Sequence, residues 1–191
     1  VNWLVSDDIL VITTVRHPGD TLLSLFHYIR WAGSPTDPAY EMISMDDKHP
    51  GEGLARYAKS YYASSYALIV AWSSLGSHVV RYEDLLADPL VELRKLAANI
   101  QPVSEAILFR AILLGEPSAM RSSGFIEARH VRKAEAGNWR VELPEHVVQY
   151  LKESEPFINV CKTYGYDWLV DAGSAEQEYF DYLKVNPFGP S

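Results

Sequence analysis

The sequence predicts an α/β layer fold built on a parallel sheet, and three observations lead to this prediction. Residues 9–15, ILVITTV, form a β-branched run that is apolar on both faces, as in a central strand of a parallel sheet. A helical pattern of apolar residues follows at about 21–32. A second strand candidate, HVVRYEDLL at 78–86, comes only after another helical stretch. Strands that alternate with helices in this way are typical of α/β proteins.

The first strand is predicted to end at Pro18-Gly19, and a helix is predicted directly afterwards. Asp20 is the predicted N-cap of this helix, because its carboxylate can accept hydrogen bonds from the first unpaired amides. Gly33-Ser34-Pro35 is the predicted stop. The predicted core-facing residues recur at helical spacing and are Leu22, Leu25, Phe26 and Ile29.

The two segments that follow, 34–51 and 52–74, are predicted to differ in structure. The first is rich in Pro, Asp, Ser and Met without a period, which favours a long surface loop of the kind that often forms a lid or binding loop. The second carries the pattern of one continuous helix. The residues of its predicted inner face are Leu54, Tyr57, Ala58, Tyr61, Ile69 and Trp72.

The second half of the chain is predicted to be mostly helical. Asp88 is followed by a proline, the pair expected at a helix start. Residues 119–140 lack a period and are predicted to form a loop with short turns. The predicted helices cover about 90–99, 104–114 and 144–154. The predicted domain covers 1–171, and residues 172–191 are predicted to form a terminal helix and a tail.

The beginning of the chain predicts that part of the sheet lies upstream. Only two strand candidates are visible, and a stable parallel sheet normally has more. The chain starts at Val1 and enters a strand almost at once, near Asp8-Ile9. We therefore expect an N-terminally truncated chain whose missing strands precede residue 1.

Composition and charge exclude several classes of function. The chain has 191 residues, a net charge of −8 and a pI of about 5.2, which argues against a nucleic-acid partner, since such proteins need a basic face. One cysteine, Cys161, excludes an internal disulfide and makes a cysteine-built zinc site implausible. No apolar run approaches the length of about 20 residues that a membrane helix requires. A cytoplasmic protein without a bound metal is expected.

Arg16 stands where the first strand ends, which is where open α/β sheets bind their ligands. Ser24 follows eight residues later, on the predicted helix. A guanidinium fork and a hydroxyl together suit a terminal phosphate. The alternative is that Arg16 forms an ion pair with Asp20 or Glu83, and that Ser24 is a small packing residue.

Two further features are candidates for the same site. Tyr82 lies in the second strand candidate, where a tyrosine can stack on a purine or can belong to the core. The Arg132-Lys133 pair stands out in an acidic chain and either neutralises an anionic ligand or forms a solvated face. The glycine at 137 and Trp139 favour a structured loop there.

Taken together, these three stretches resemble the sulfotransferases that use 3′-phosphoadenosine 5′-phosphosulfate (PAPS). The family has a V-R-[ND]-P-x-D corner with a serine eight residues after the arginine, then a strand ending in Y-E-D, then a loop R-K-G-x-x-G-[DN]-W-[KR]. The order and spacing agree with this chain from residue 9 to residue 140. The matching residues are Arg16, Pro18, Asp20, Ser24, Tyr82, Glu83, Asp84, Arg132, Lys133, Gly137, Asn138, Trp139 and Arg140.

The resemblance implies a fold and a set of roles. The fold is a three-layer α/β/α domain with a central parallel sheet, P-loop-NTPase-like but without its first strand, loop and helix. Arg16 and Ser24 would hold the nucleotide's 3′-phosphate, and Arg132 and Lys133 would close over it. Tyr82 would contact the adenine, and Tyr28 would border the acceptor pocket.

The chain also departs from the family pattern. The phosphosulfate loop with its lysine, and the usual histidine base, precede the R-x-P-x-D corner in the family and have no counterpart here. These groups stabilise the transferring group and take the acceptor's proton. Ala134 stands where the family has the glycine of R-K-G, and its methyl group would crowd a backbone amide that approaches the phosphate.

The function implied for the full protein is transfer of a sulfuryl group from PAPS to a hydroxyl or amine of a small acceptor, with PAP as product. The 191-residue chain is expected to be inactive alone, and its catalytic residues are unassigned. The alternative is a non-catalytic nucleotide-binding or protein-interaction module of the same fold. A nucleotide kinase-like domain explains the Arg132–Arg140 stretch less well. The expected partner is a small-molecule acceptor, and the sequence is also compatible with a homodimer.

Overall fold

The computed structural model describes residues 10–49, 51–73, 78–123 and 134–168. Within them the fold is mostly helical α/β, with a small parallel sheet. In chain order the elements are β1 (Ile12–Val15), α1 (Pro18–Ala32), α2 (Pro38–Ser44), a 3₁₀ turn (Met45–Asp47), α3 (Glu52–Tyr57), a π-helical turn (Ala58–Tyr62), α4 (Ala63–Ser73), β2 (His78–Arg81), α5 (Tyr82–Ala87), α6 (Pro89–Ile100), α7 (Glu105–Gly115), α8 (Pro117–Ser122), α9 (Trp139–Glu142), α10 (Glu145–Glu153) and α11 (Glu155–Tyr164).

The chain divides into two compact units. The sheet unit comprises residues 1–16 and 71–136, and the helical unit comprises residues 17–70 and 137–191. The predicted boundary between residues 171 and 172 lies outside the described residues.

The sheet unit is built on β1 and β2, which run parallel as predicted. Ile12 lies opposite His78, and Val15 lies opposite Arg81. Val15 and Val80 are buried, whereas Ile12 is 43% exposed, so the expected burial of β1 on both faces is wrong at Ile12. Within the described residues β2 is the sheet partner of β1, and the three-layer arrangement stays a prediction.

The second strand is shorter than predicted, because the chain changes conformation at Tyr82. Arg81 is the last strand residue, and Tyr82 begins α5. Glu83 and Asp84 then occupy the first turn of a helix, where the exposed amides favour negative charge. Glu83 and Asp84, which were predicted to end a strand, therefore lie at the start of a helix.

The core of the helical unit is formed largely by the predicted face of α1. Leu22, Phe26 and Ile29 are buried there, as expected, and Leu25 is partly buried against the same cluster. The helices from α2 to α4 and from α9 to α11 supply the rest of that cluster, whose most buried members include Ile43, Leu54, Tyr62, Trp139, Leu143, Val147, Leu151, Phe157 and Val160.

The prediction of a surface loop at 34–51 is wrong over most of its length. Asp37 caps α2, with its carboxylate 2.8 Å from the amide of Ala39, and Pro38 takes the first helical position. Ile43 and Asp46 are fully buried. A helix of seven residues is too short to show a convincing period, so composition misled the prediction.

The predicted helix at 52–74 exists, but its inner face changes register at the π-helical turn. A π turn closes i→i+5 hydrogen bonds and so adds a residue to the helix. Ala58 is followed on the buried side by Tyr62 and Tyr66, while Tyr61 and Trp72 are 43% and 40% exposed. The inward placement predicted for Tyr61 and Trp72 is therefore wrong.

The positions predicted for the helices in the second half of the chain are mostly confirmed. The bounds of α6, α7 and α10 match the predicted helices within one or two residues. Helix α11 was not predicted, and α8 replaces the start of the predicted loop at 119–140. The part of that loop at 124–133 lies outside the described residues.

Candidate functional site

The ends of the two paired strands place Arg16 and Tyr82 side by side. Each residue directly follows one member of the Val15–Arg81 pair, so both chains leave the sheet at the same edge. The guanidinium carbon of Arg16 lies 4.5 Å from the centroid of the Tyr82 ring, a cation–π distance. The structure therefore brings together the first and second sequence motifs. Their role in binding stays a prediction.

The loop of the third motif also reaches Arg16. One terminal nitrogen of Arg16, Nη2, donates a hydrogen bond of 2.8 Å to the backbone carbonyl of Glu135. The preceding residue, Ala134, has a φ of 54°, in the left-handed region that favours glycine. Arg132 and Lys133, predicted to close over a phosphate, lie outside the described residues.

Arg16 therefore has a defined orientation. A guanidinium carries its N–H groups in the plane of the group, so a hydrogen bond from one of them restricts the direction of the others. Arg16 is half-buried and uses one such N–H on Glu135. A guanidinium fork beside a tyrosine at the carboxyl ends of parallel strands suits a ligand that combines a phosphate with an aromatic ring.

Ser24 and Tyr28 belong to the helical unit, on α1. Both side chains are exposed and lie one helical turn apart. Tyr28 is 46% exposed, and its ring packs edge-on at 6.0 Å from Trp31. Their predicted contacts with a phosphate and an acceptor stay predictions.

Asp20 has a different role from the one predicted. His17, not Asp20, caps α1, since its Nδ1 accepts a 3.1 Å hydrogen bond from the amide of Gly19. The Asp20 carboxylate is buried and accepts from two backbone amides, that of Gly137 at 2.6 Å and that of Trp139 at 3.2 Å. A contact between residues 117 positions apart leaves no periodic trace in the sequence.

His17 adds a second connection to the same loop. Its ring stacks on Trp139 with centroids 4.5 Å apart and planes 1° from parallel. Its Nε2 lies 2.7 Å from the backbone carbonyl of Asp167. Because Nδ1 accepts from Gly19, the proton resides on Nε2, which donates to that carbonyl. Both ring nitrogens of His17 therefore take part in hydrogen bonds within the helical unit.

Three buried groups of the helical unit have raised pKa values, namely Cys161, Tyr62 and Tyr57. Burial raises the pKa of the Cys161 thiol to about 11, against a smaller opposing effect of its hydrogen bond with Trp168. Burial also raises the pKa of Tyr62 well above its usual value. The Tyr62 hydroxyl donates a 2.7 Å hydrogen bond to the carbonyl of Pro18.

The described part of the chain shows neither a metal cluster nor a membrane helix. No group of three His, Cys, Asp or Glu side chains in those residues is arranged to hold a metal ion. None of the helices in those residues combines the length and hydropathy needed to cross a bilayer.

No protein-family model matches the chain, and no curated protein matches it in sequence. Among solved structures, the chain is similar to mouse sulfotransferase SULT7A1, whose crystal structure contains PAP. The two share 15% sequence identity with a TM-score of 0.49. The similarity covers 81% of this chain and 63% of that one, so this chain spans less than two thirds of its length.

Proposed function

We propose that this chain forms the 3′-phosphoadenosine-binding part of a PAPS-dependent sulfotransferase. The full protein would transfer a sulfuryl group from PAPS to a hydroxyl or amine of a small acceptor. Catalysis would rest on positioning and on stabilisation of charge along an in-line displacement. The proposal assigns no catalytic base to the residues of this chain.

One observation carries the proposal, namely the convergence of three motifs on Arg16. Its guanidinium lies over Tyr82 and donates to Glu135, which follows the R-K-A stretch. Three segments from distant parts of the sequence therefore meet at the end of a parallel strand pair. This supports a single nucleotide site better than three unrelated surface features.

The residues would divide the nucleotide between them. Arg16, Arg132 and Lys133 would hold the 3′-phosphate through charge-assisted hydrogen bonds. Tyr82, whose ring centroid lies 4.5 Å from the Arg16 guanidinium carbon, would contact the adenine.

The proposal is tested by calorimetry with adenosine 3′,5′-bisphosphate and the 191-residue chain. We expect Arg16→Ala and Arg132→Ala each to weaken binding by about 1.5–3 kcal/mol, the range for a hydrogen bond to a charged group. Adenosine 5′-monophosphate lacks the 3′-phosphate, so Arg132→Ala should bind it with the affinity of the wild type.

Arg94→Ala is the matched control. Arg94 lies in the same sheet unit, on α6, where it pairs with Glu105 on the surface. This variant removes the same charge and should leave the affinity for the bisphosphate unchanged. Equal losses in the Arg16 and Arg94 variants, or a wild type that does not bind the bisphosphate, would refute the site.

A further inference from the structure

Helix α7 of the sheet unit is apolar around almost its whole circumference, although one of its sides faces solvent. Its sequence is EAILFRAILLG, in which Arg110 is the only charged residue after Glu105. A helix that is apolar all round is normally buried. We propose that the exposed side of α7 is the contact surface of a homodimer, where it meets the same side of a second copy of this chain.

Among the described residues, α6 and α8 pack against α7 and cover one of its sides. Leu108 is buried there, and Ile112, four residues later on the same side, is half-buried. The remaining circumference carries four large apolar residues that are between 51% and 67% exposed. These residues, the α7 patch, are Ile107, Phe109, Leu113 and Leu114.

Arg110 does not interrupt the α7 patch. It lies three or four residues from Ile107, Leu113 and Leu114, so its side chain is their neighbour on the helix surface. The aliphatic stem of an arginine packs along apolar surface while its guanidinium reaches water. The patch is therefore continuous, and its one charge can lie at the rim of a contact.

The α7 patch has the size that a dimer interface requires. At these exposures its four side chains together present roughly 400 Å² of apolar surface, as much as the largest apolar patch of a typical monomer. A stable interface buries about 800 Å² on each partner, of which about 60% is apolar. The patch therefore supplies most of the apolar area that one partner must contribute.

Charge also favours a second copy at this surface. The chain carries a net charge of −8, so two copies repel each other in general. Residues 106–115 contain no carboxylate side chain and a single base, Arg110. Two acidic chains can therefore meet along α7 without bringing their carboxylates together, which like-charge repulsion would oppose.

The shape of the surface favours a protein over a small molecule. Small-molecule sites are concave and hold a few polar groups, whereas the side of one helix is convex and encloses little of such a ligand. The contact of a two-fold dimer is isologous, so that one apolar patch serves both partners. The proposal does not rest on the proposed function, because it involves no residue assigned to the nucleotide.

Sedimentation equilibrium of the 191-residue chain tests the proposal. The mass should approach twice the chain mass of 21.5 kDa as the concentration rises. Measurements extend to about 100 µM, where a complex with a micromolar Kd is almost entirely formed. Leu113→Lys places an unpaired charge in the contact of each partner and should weaken the dimer by roughly a hundredfold or more.

Leu68→Lys is the matched control. Leu68 is 58% exposed on α4, in the helical unit, and the variant makes the same substitution at a similarly exposed leucine. It should leave the dimer unchanged. Circular dichroism shows whether each variant is folded. If Leu113→Lys does not fold, Leu113→Ala replaces it, since that variant removes apolar area without adding a charge and should weaken the dimer by about tenfold.

A wild type that stays monomeric up to the highest concentration overturns the proposal. So does a dimer that both lysine variants weaken equally, or that neither weakens, because α7 is then not the contact. A dimer that a substitution at Leu113 weakens and Leu68→Lys leaves intact supports the proposal.

Discussion

Ala134 has a backbone conformation that an alanine adopts only at a cost. Its φ of 54° is left-handed, and the methyl group then approaches its own backbone closely enough to cost about 1–2 kcal/mol. The neighbouring carbonyl of Glu135 receives the hydrogen bond from Arg16, so the strain coincides with the candidate site. Strain of this kind persists where surrounding contacts hold it in place.

Ala134→Gly is expected to increase the free energy of unfolding relative to Ala136→Gly. Both substitutions add the same freedom to the unfolded chain, but only the first relieves a left-handed alanine. The difference between the two variants should be about 1–2 kcal/mol in urea denaturation. Equal changes in the two variants would show that Ala134 is not strained in solution.

At the scale of single residues, the sequence predicted the positions of side chains in the strands better than it predicted their hydrogen-bond partners. Arg16 was correctly placed at a strand end beside Tyr82, because strand ends follow from local pattern and parallel pairing. The partners of Asp20 could not be predicted, since a carboxylate before a helix caps that helix in most proteins. The nearby His17 supplied the cap, which left Asp20 for Gly137 and Trp139.

At the scale of elements, α1 and α9 are joined by close contact between a glycine and an indole ring. A Cβ on Gly19 would lie 2.7 Å from Cγ and 2.8 Å from Cβ of Trp139. The indole is fully buried and stacked on His17, so it has little room to move. The start of α1 can approach α9 only because residue 19 lacks a side chain.

Gly19→Ala is therefore expected to destabilise the protein by about 1–3 kcal/mol, the usual cost of overpacking. Gly115→Ala, at the end of α7, is the control, because a Cβ there meets no heavy atom within 4 Å. Thermal unfolding should give a lower midpoint for the first variant and an unchanged or slightly higher one for the second. A similar midpoint in both would contradict the packing described here.

The long helices were predictable and the short ones were not. Helices α1, α6 and α10 each repeat their apolar residues over several turns, which is enough to reveal a period. Helix α2 has seven residues and begins at an Asp-Pro pair that also suits a turn. The π-helical turn at Ala58–Tyr62 moved the buried face to Tyr62 and Tyr66, a shift that the 3.6-residue period cannot anticipate.

At the scale of the whole molecule, the buried groups Cys161 and Tyr62 contribute to how stability responds to alkali. The pKa of Cys161 is raised by burial from 9.0 to about 11, and that of Tyr62 is raised well above 10.0. Both groups therefore remain protonated in the folded protein at pH values where the unfolded chain ionises. Their contribution to stability is full below pH 9 and is lost as the pH rises.

The free energy of unfolding is expected to fall by up to about 2 kcal/mol between pH 9 and pH 11 through Cys161 alone. Cys161→Ala should remove this part of the decline, and Tyr62→Phe should reduce the decline at higher pH. Urea denaturation at steps of pH measures both effects. Parallel pH profiles for the wild type and Cys161→Ala would show that the thiol ionises equally in both states.

The sequence by itself determined the strand-then-helix order, the parallel direction of β1 and β2, most of the long helices, and the placement of Arg16 and Tyr82. These features depend on neighbours within about four residues, or on strand pairing, which a local pattern records. Only the tertiary structure decided that Asp20 holds Gly137 and Trp139, that Arg16 donates to Glu135, and that Tyr62 replaces Tyr61 in the core. Each of these depends on where distant segments meet, and that position results from packing across the whole fold rather than from any stretch of sequence.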